Sequence, residues 1–379
     1  MKRRLRETPV SQRNGKIACI DSKVESSEVK GLLAGVAVPE TRCSYLEAET
    51  LYYWRDAWCL KHVVRYQIVL SQSEKVVGEA IYGVQTELTM GSKLAGPPEI
   101  KDHMDVTLLK EWGEAIGSSA HFASWCSTCT TKDYYPWSGY RTFAEGETVG
   151  KDPYRSVPVP AGGTETVDWD YTLSVKAPKF AALSPSWGAG WIKGRCDNKV
   201  AGNFGCIVPT ATPTLGLDVA KDKAGALFVH RSMTENNQHW GLEGKGKPLT
   251  RLADADAAES NRDIICPDSW PRDQRVQDPS CDEFPFARTY QSGAQVGVKN
   301  GNECEQRTTV QVDDFLEVPP VDGNGLPVDE GDPDAPCVRA TTPLKENSGV
   351  GGELGNFTKK MRLLDEDSYW VYVYDSSLS

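Results

Sequence analysis

The first half of the chain alternates short hydrophobic runs with clusters of polar, glycine and proline residues. The runs at 62–70, 79–89 and 105–111 are rich in β-branched and aromatic residues, which is typical of strands. Two shorter runs have the same character, at 168–175 and 205–208. Strands at this spacing, separated by turn residues, predict a mainly β, sandwich-like domain over residues 41–215.

The second half of the chain mixes helical and strand patterns. Residues 255–265 have the pattern of a helix, and Asp256 followed by Glu259 predicts a capping box at its start. The run 369–374 alternates aromatic residues with valine and predicts a final strand. We therefore predict a small α+β domain over residues 245–379, so that the chain as a whole belongs to the α+β class.

Polar and proline-rich stretches divide the chain. Residues 1–40 begin with a basic, polar stretch that has no hydrophobic period, so we predict a flexible N-terminal segment. Prolines cluster at 209–213, and the glycine-rich run 241–248 cannot form a P-loop, because proline replaces the hydroxyl residue at its last position. These features predict a linker over residues 216–244.

The charge is unevenly distributed along the chain. The 379 residues carry a formal net charge of −11, and from Trp240 onward there are 14 basic and 26 acidic residues. Because phosphate contacts supply much of the affinity for nucleic acids, this balance weighs against an extended phosphate-binding surface in the second half. A local basic groove is still compatible with it, since net charge does not fix the local field.

Eleven cysteines indicate an oxidising compartment. Cys126 and Cys129 could also be a redox pair or half a zinc site, but no second cysteine pair accompanies them and only His121 is near. Short, turn-like spacing favours four disulfides, Cys126–Cys129, Cys196–Cys206, Cys266–Cys281 and Cys304–Cys337. The odd number leaves one thiol, which we assign to Cys19.

The start of the chain does not have the pattern of a signal peptide. Residues 1–6 are basic, but the stretch that follows is polar, and the apolar run 31–38 is too short to cross a membrane. Because the cysteines indicate secretion, we predict an extracellular protein without a membrane span, whose signal peptide is not present in this chain.

Three motifs stand out in the second half. Residues 281–287 read Cys-Asp-Glu-Phe-Pro-Phe-Ala, residues 346–357 combine Glu-Asn with small residues, and residues 367–371 read Asp-Ser-Tyr-Trp-Val. In this order they resemble the motifs of the NucA/NucB family of secreted bacterial deoxyribonucleases, over about residues 245–375. Because that family is considered related to metal-dependent ββα nucleases, the resemblance implies a small nuclease-like domain of the ββα-metal type.

Two adjacent acids in the first motif are the main catalytic candidates. Side chains alternate along a strand, so Asp282 and Glu283 should point to opposite faces, and Pro285 predicts a strand at the edge of its sheet. All five histidines precede Trp240. Hydrolysis of a phosphodiester by this domain would therefore use a carboxylate, Asp282 or Glu283, as its base, assisted by a metal ion.

The motifs supply further candidates. Asn347 and Asn356 are predicted to join the two acids as ligands of Mg²⁺ or Mn²⁺. Gln291 is a third catalytic candidate, because it lies where some members of the family have a glutamate, although an amide cannot serve as a base. Arg288 and Arg362 are the predicted DNA contacts.

The predicted function is that of a secreted, metal-dependent endonuclease that cuts DNA without sequence specificity, with an N-terminal domain for binding or cell-surface placement. Two alternatives remain open. The first is a disulfide-stabilised extracellular binding protein whose nuclease-like module is inactive, which the acidic balance and Gln291 favour. The second is a nuclease toxin, with an inhibitor protein as its partner.

Overall fold

The computed structural model describes residues 12–13, 15–21, 41–200, 203–312, 315–322 and 324–378. The chain divides into two compact units, residues 1–211 and 212–379. The described residues are mostly β, and their α-helices lie in the second unit. The predicted α+β class and the mainly β character of the first half are confirmed at this level.

The described strands of the first unit are β1 (Gln12–Arg13), β2 (Lys16–Asp21), β3 (Leu51–Trp54), β4 (Ala57–Leu70), β5 (Val76–Met90), β6 (Ser92–Lys93), β7 (Glu99–Gly113), β8 (Ser119–Cys126), β9 (Asp133–Tyr134), β10 (Arg141–Thr142), β11 (Thr148–Lys151), β12 (Tyr154–Ser156), β13 (Thr164–Val167), β14 (Trp169–Lys176), β15 (Ser186–Gly188), β16 (Gly194–Asp197) and β17 (Phe204–Ile207).

These strands form antiparallel sheets around one hydrophobic core. The largest sheet has the order β1-β2-β4-β5-β7-β11, the second β10-β8-β14-β15, and the third β13-β16-β17-β6. Alternation along β4 turns Val64, Tyr66 and Ile68 into the core, where Phe122 and Tyr171 of the second sheet stack with ring centroids 5.8 Å apart. The period-two pattern of the sequence is thus the direct cause of this core.

The structure differs from the predictions for two segments outside the two domains. Within the predicted flexible segment 1–40, residues 16–21 form β2 and pair with β4; residues 1–11, 14 and 22–40 lie outside the described part of the chain. The predicted linker 216–244 contains most of a strand and a 17-residue helix with buried residues. The second unit accordingly begins at Thr212.

The described elements of the second unit are β18 (Thr214–Asp218), α1 (Val219–Glu235), β19 (Leu249–Thr250), α2 (Ala255–Ile265), β20 (Pro279–Phe284), β21 (Glu305–Thr308), β22 (Val310–Val312), β23 (Phe315–Glu317), β24 (Val338–Pro343), α3 (Leu344–Lys360) and β25 (Ser368–Tyr374). They form two three-stranded sheets, β18-β25-β19 and β20-β24-β21, and the hairpin β22–β23.

Helices α1 and α3 cross closely beside the sheets. A Cβ atom at Gly225 of α1 would lie only 2.9 Å from Cγ2 of Val350 on α3, so a larger residue would force the helices apart. Helix α2 has the predicted bounds, but its cap differs: the Asp254 carboxylate accepts hydrogen bonds from the backbone N–H groups of Asp256 and Ala257. An acid at this position also favours the positive end of the helix dipole.

Five disulfides are present, and each joins two cysteines of the same unit. The four pairs predicted from spacing are present, together with Cys43–Cys59, which spacing did not indicate. Cys19, the cysteine predicted to be left over, is not a member of these five pairs. No helix in the described part of the chain is long and apolar enough to cross a membrane. The disulfides are consistent with an extracellular protein.

Candidate functional site

The two predicted acids lie in a strand–strand–helix unit. Strand β20 is at the edge of its sheet, as Pro285 predicted, and pairs antiparallel with β24, so that Asp282 faces Ala340 and Glu283 faces Arg339. Strand β24 ends at Pro343, directly before α3. The helix therefore begins where the second strand stops and can return across β20.

Asp282 is a buried carboxyl group with an incompletely satisfied oxygen. It shares one face of β20 with Phe284, which packs into the core of the helices, and is 5% exposed. Its Oδ1 accepts a hydrogen bond from the Glu283 N–H at 3.0 Å, whereas Oδ2 has no partner among the described residues. Burial, with a smaller contribution from the charge of Glu283, raises the pKa of Asp282 well above its usual range.

Glu283 points to the opposite face of β20, as the strand pattern predicted. It is 9% exposed, and its Oε1 accepts a hydrogen bond from the Ala287 N–H at 3.3 Å, which holds the chain after the strand. Burial raises the pKa of Glu283 to about 7, against the opposing effect of the Arg262 guanidinium on α2. The two acids are thus neighbours in sequence but belong to different environments.

Asn347 lies on α3, beside the face of β20 that carries Asp282 (the Asp282 face). Its Nδ2 donates to the carbonyl of Cys281 at 2.9 Å and to Oγ of Ser280 at 3.2 Å. The Ser280 hydroxyl in turn donates to the carbonyl of Thr342 at 2.9 Å. These bonds use only the amino side of the amide and leave its Oδ1 outside them. Because Ser280 and Asp282 lie on the same face of β20, the bond to the Ser280 hydroxyl places Asn347 on the side of β20 that Asp282 also faces.

Gln291 is placed as a structural residue. Its Oε1 accepts a hydrogen bond from the Thr250 N–H at 2.8 Å, and its Nε2 donates to Oγ1 of Thr250 at 3.3 Å. Both ends of the amide are thus used to hold β19, so the structure gives this residue a tethering role, and its part in catalysis stays a prediction.

Two further predictions are corrected by position and burial. Asn356 is exposed and lies nine residues after Asn347 on α3, which is two and a half turns and hence the opposite face of the helix. Arg362 is only 3% exposed, so its side chain is not available to a DNA backbone. Arg288 is exposed, as a DNA contact requires.

One acidic residue that no sequence pattern indicated lies at a kink in α1. Asp222 has φ −113° and ψ 34°, outside the helical region, and is 5% exposed. A Cβ atom at Gly349 of α3 would lie 2.0 Å from its Oδ1, so the carboxyl presses directly against that helix. Burial raises the pKa of Asp222, and the charges of Glu353 and Glu346 add to the effect despite the opposing Lys221.

The residues on the Asp282 face fit a hard divalent cation. Mg²⁺ is commonly held by one or two carboxylates and keeps several waters, and the available donors here are the Asp282 carboxylate and the Asn347 amide oxygen. Glu283 lies on the opposite face of β20, and Asn356 lies on the opposite face of α3. The prediction that these two residues also hold the metal ion therefore does not fit the structure. Among the described residues, no three His, Cys, Asp or Glu side chains converge into a metal-holding group.

Comparison of the chain with protein-family models, with curated proteins and with solved structures finds no match in any of the three. The resemblance to the NucA/NucB nucleases therefore stays a prediction that rests on the three motifs of the second half.

Proposed function

We propose that the second unit is a metal-dependent phosphodiester hydrolase that cuts DNA, of the kind the NucA/NucB resemblance implies. The proposal rests on one observation: Oδ2 of Asp282 has no hydrogen-bond partner among the described residues, and it lies on the same side of β20 as Asn347. A buried carboxylate oxygen without a donor is costly unless a proton or a cation satisfies it. Such groups are concentrated at functional sites.

The strand–strand–helix order supports the same proposal. It provides an acid on the first strand, a return strand, and a polar residue in the first turns of the helix, all on one side of the sheet. This is the arrangement that the ββα-metal type, inferred from the motifs, would require.

In the mechanism that we propose, Asp282 and Asn347 would hold Mg²⁺ or Mn²⁺, which would supply positive charge to a phosphate oxygen and lower the pKa of a bound water. In its ionised form, which a bound cation would favour, Asp282 accepts the proton of the attacking water at Oδ2, the oxygen not engaged by a protein donor. The water oxygen bonds to phosphorus as the P–O bond to the leaving oxygen breaks, and the leaving oxygen takes up a proton from solvent. Asn347 presents Oδ1 because its Nδ2 is anchored on Cys281 and Ser280. Glu283 supports the strand from the other face.

Arg288 is the proposed DNA contact. It is the exposed cation nearest in sequence to the two acids, and an exposed guanidinium pairs well with phosphate oxygens. The disulfides favour action outside the cell. The N-terminal unit is proposed to bind a cell-surface or inhibitor protein, and no residue is assigned to that role.

A second function is favoured by the burial of the acids. Asp282 and Glu283 are both less than one tenth exposed, which restricts access of a DNA phosphate to either carboxyl group. An extracellular binding protein with an inactive nuclease-like module would have no need for such access. Gln291, which serves as a tether, agrees with this alternative.

A plasmid-nicking assay separates the two functions. The nuclease proposal expects supercoiled DNA to be relaxed with Mg²⁺ or Mn²⁺, to stay intact with EDTA, and to be cut more slowly as salt screens the phosphates. If the purified chain cuts neither single-stranded nor double-stranded DNA with either metal, the binding-protein function replaces it.

A further inference from the structure

We propose that Asp222 and Glu346 form a second divalent-cation site, where helices α1 and α3 cross. Cation binding at this place is a property separate from hydrolysis and can be measured without DNA. The ligand class is a hard, water-retaining cation such as Mg²⁺, Ca²⁺ or Mn²⁺.

The first observation concerns the burial and hydrogen bonding of the Asp222 carboxyl group. Its side chain is buried in the described structure, and its Oδ2 has no hydrogen-bond partner there. Only glycine fits opposite it at position 349, because a Cβ atom would lie 2.0 Å from Oδ1. The carboxyl group is therefore held in a tight place with one oxygen unsatisfied, which costs free energy unless a ligand binds.

The second observation is the position of Glu346. Its Oε2 accepts a hydrogen bond at 2.5 Å from the Ala224 N–H, which is the backbone group two residues after the kink at Asp222. This bond holds the Glu346 carboxylate at the turn of α1 that follows Asp222. It does not involve the other carboxylate oxygen, Oε1. The close crossing at Gly225, whose Cβ would lie 3.0 Å from the Glu346 carbonyl oxygen, sets the distance between the two helices.

The charges around Asp222 favour a cation. Glu346, Glu353 and Asp218 are near enough to act on it electrostatically. Lys221 is the cation that opposes them, and its ammonium group is already paired with Glu353. The negative charge at the crossing is thus only partly balanced, and a divalent ion with carboxylate and water ligands would compensate it.

Manganese binding to the full chain tests the site directly. We expect Mn²⁺, followed by electron paramagnetic resonance of the free ion, to bind the wild type, and Asp222→Asn to weaken this binding by about 10-fold or more, on the scale found when metal-site residues are lost. Glu346→Gln can still accept the bond from Ala224, so it should fold and bind Mn²⁺ more weakly. Asp268→Asn makes the same chemical change at a fully exposed carboxylate and should bind as the wild type does.

Two controls keep the result interpretable. Circular dichroism should show that metal-free Asp222→Asn folds, since the amide nearly preserves the shape of the carboxyl group. Asp282→Asn should retain the Mn²⁺ that Asp222 binds, which separates this site from the proposed catalytic one. Equal Mn²⁺ binding by wild type and Asp222→Asn, or no binding by wild type, would overturn the proposal and leave Asp222 as a protonated structural acid. The absence of DNA cleavage in the nicking assay would not count against this site, because cation binding at Asp222 does not depend on hydrolysis.

Discussion

Asn347 donates a hydrogen bond from Nδ2 to the carbonyl of Cys281 at 2.9 Å, which ties helix α3 to the residue directly before Asp282. Cys281 is also joined by a disulfide to Cys266, at the end of α2. The position of Asp282 is therefore set from two sides, by a helix that returns across the strand and by a covalent link to another helix.

Loss of the Asn347 amide should affect stability and metal response together. Asn347→Ala removes the bonds to Cys281 and Ser280, and we expect it to cost about 1–2 kcal/mol of unfolding free energy in urea. If hydrolysis is observed, the Mg²⁺ concentration for half-maximal rate should rise. Ser280→Ala removes the hydroxyl but keeps the Cys281 carbonyl, so it is the matched control and should have the smaller effect on both. Equal effects of the two variants would argue against a special role for Asn347.

Glu283 should destabilise the folded chain at alkaline pH. Because burial raises the pKa of Glu283 to about 7, above its value in the unfolded chain, folding is penalised once the unfolded carboxyl ionises. The penalty should be absent at pH 4, grow as the pH rises to about 7, and then level off near 3 kcal/mol, since each unit of pKa shift is worth about 1.4 kcal/mol.

Urea unfolding of Glu283→Gln checks this sign. The variant can still accept the Ala287 bond through its amide oxygen, so it should match the wild type at pH 4 and be more stable at pH 8. A variant that is less stable than the wild type at pH 8 would show that the ionised carboxylate is stabilised in the folded state, contrary to our account.

His103 in the first unit should titrate far above neutrality. Burial alone would lower its pKa, but hydrogen bonds to Asp105 at 2.8 Å and Asp152 at 2.5 Å outweigh that effect and raise it to about 9. The resulting stabilisation should be complete below about pH 6.5 and lost as the pH rises through 9. Titration of the ring by NMR measures this pKa directly. Asp152→Asn should lower it, and an ordinary value near 6.5 in the wild type would refute the arrangement.

The Cys266–Cys281 disulfide should contribute appreciably to the stability of the second unit. It closes a loop of 15 residues, for which the chain-entropy model gives about 3 kcal/mol. We expect the double serine variant to lose about this much unfolding free energy. Non-reducing peptide mapping of the wild type should recover the pair, and a different pairing would contradict both the spacing argument and the structure.

Local patterns predicted the parts of the fold that depend on neighbours in sequence. The bounds of α2, the edge position of β20 and the opposite orientation of Asp282 and Glu283 all follow from periodicity and from Pro285. Helix α1 was missed because charged residues and glycine interrupt its apolar positions, which become recognisable only where the helix packs on α3.

Burial could not be read from the sequence, because it depends on packing between distant segments. Arg362 looks like a surface cation but is buried, and Glu283 is buried within electrostatic reach of Arg262 on α2. The acidic cluster of Asp222 and Glu346 joins residues more than a hundred positions apart. No spacing rule connects such residues, so only the fold reveals them.

The most direct test of the central claim compares two neighbouring acids in the plasmid-nicking assay. Asp282→Asn and Glu283→Gln each remove one buried carboxyl group at nearly constant volume, and they differ in which face of β20 they change. With Mg²⁺ present, we expect Asp282→Asn to lose about 10²-fold or more in rate, the scale for losing a positioned base, and Glu283→Gln to cut within about threefold of the wild type. Cleavage by Asp282→Asn at the wild-type rate would contradict the assignment of this face of β20 as the catalytic site.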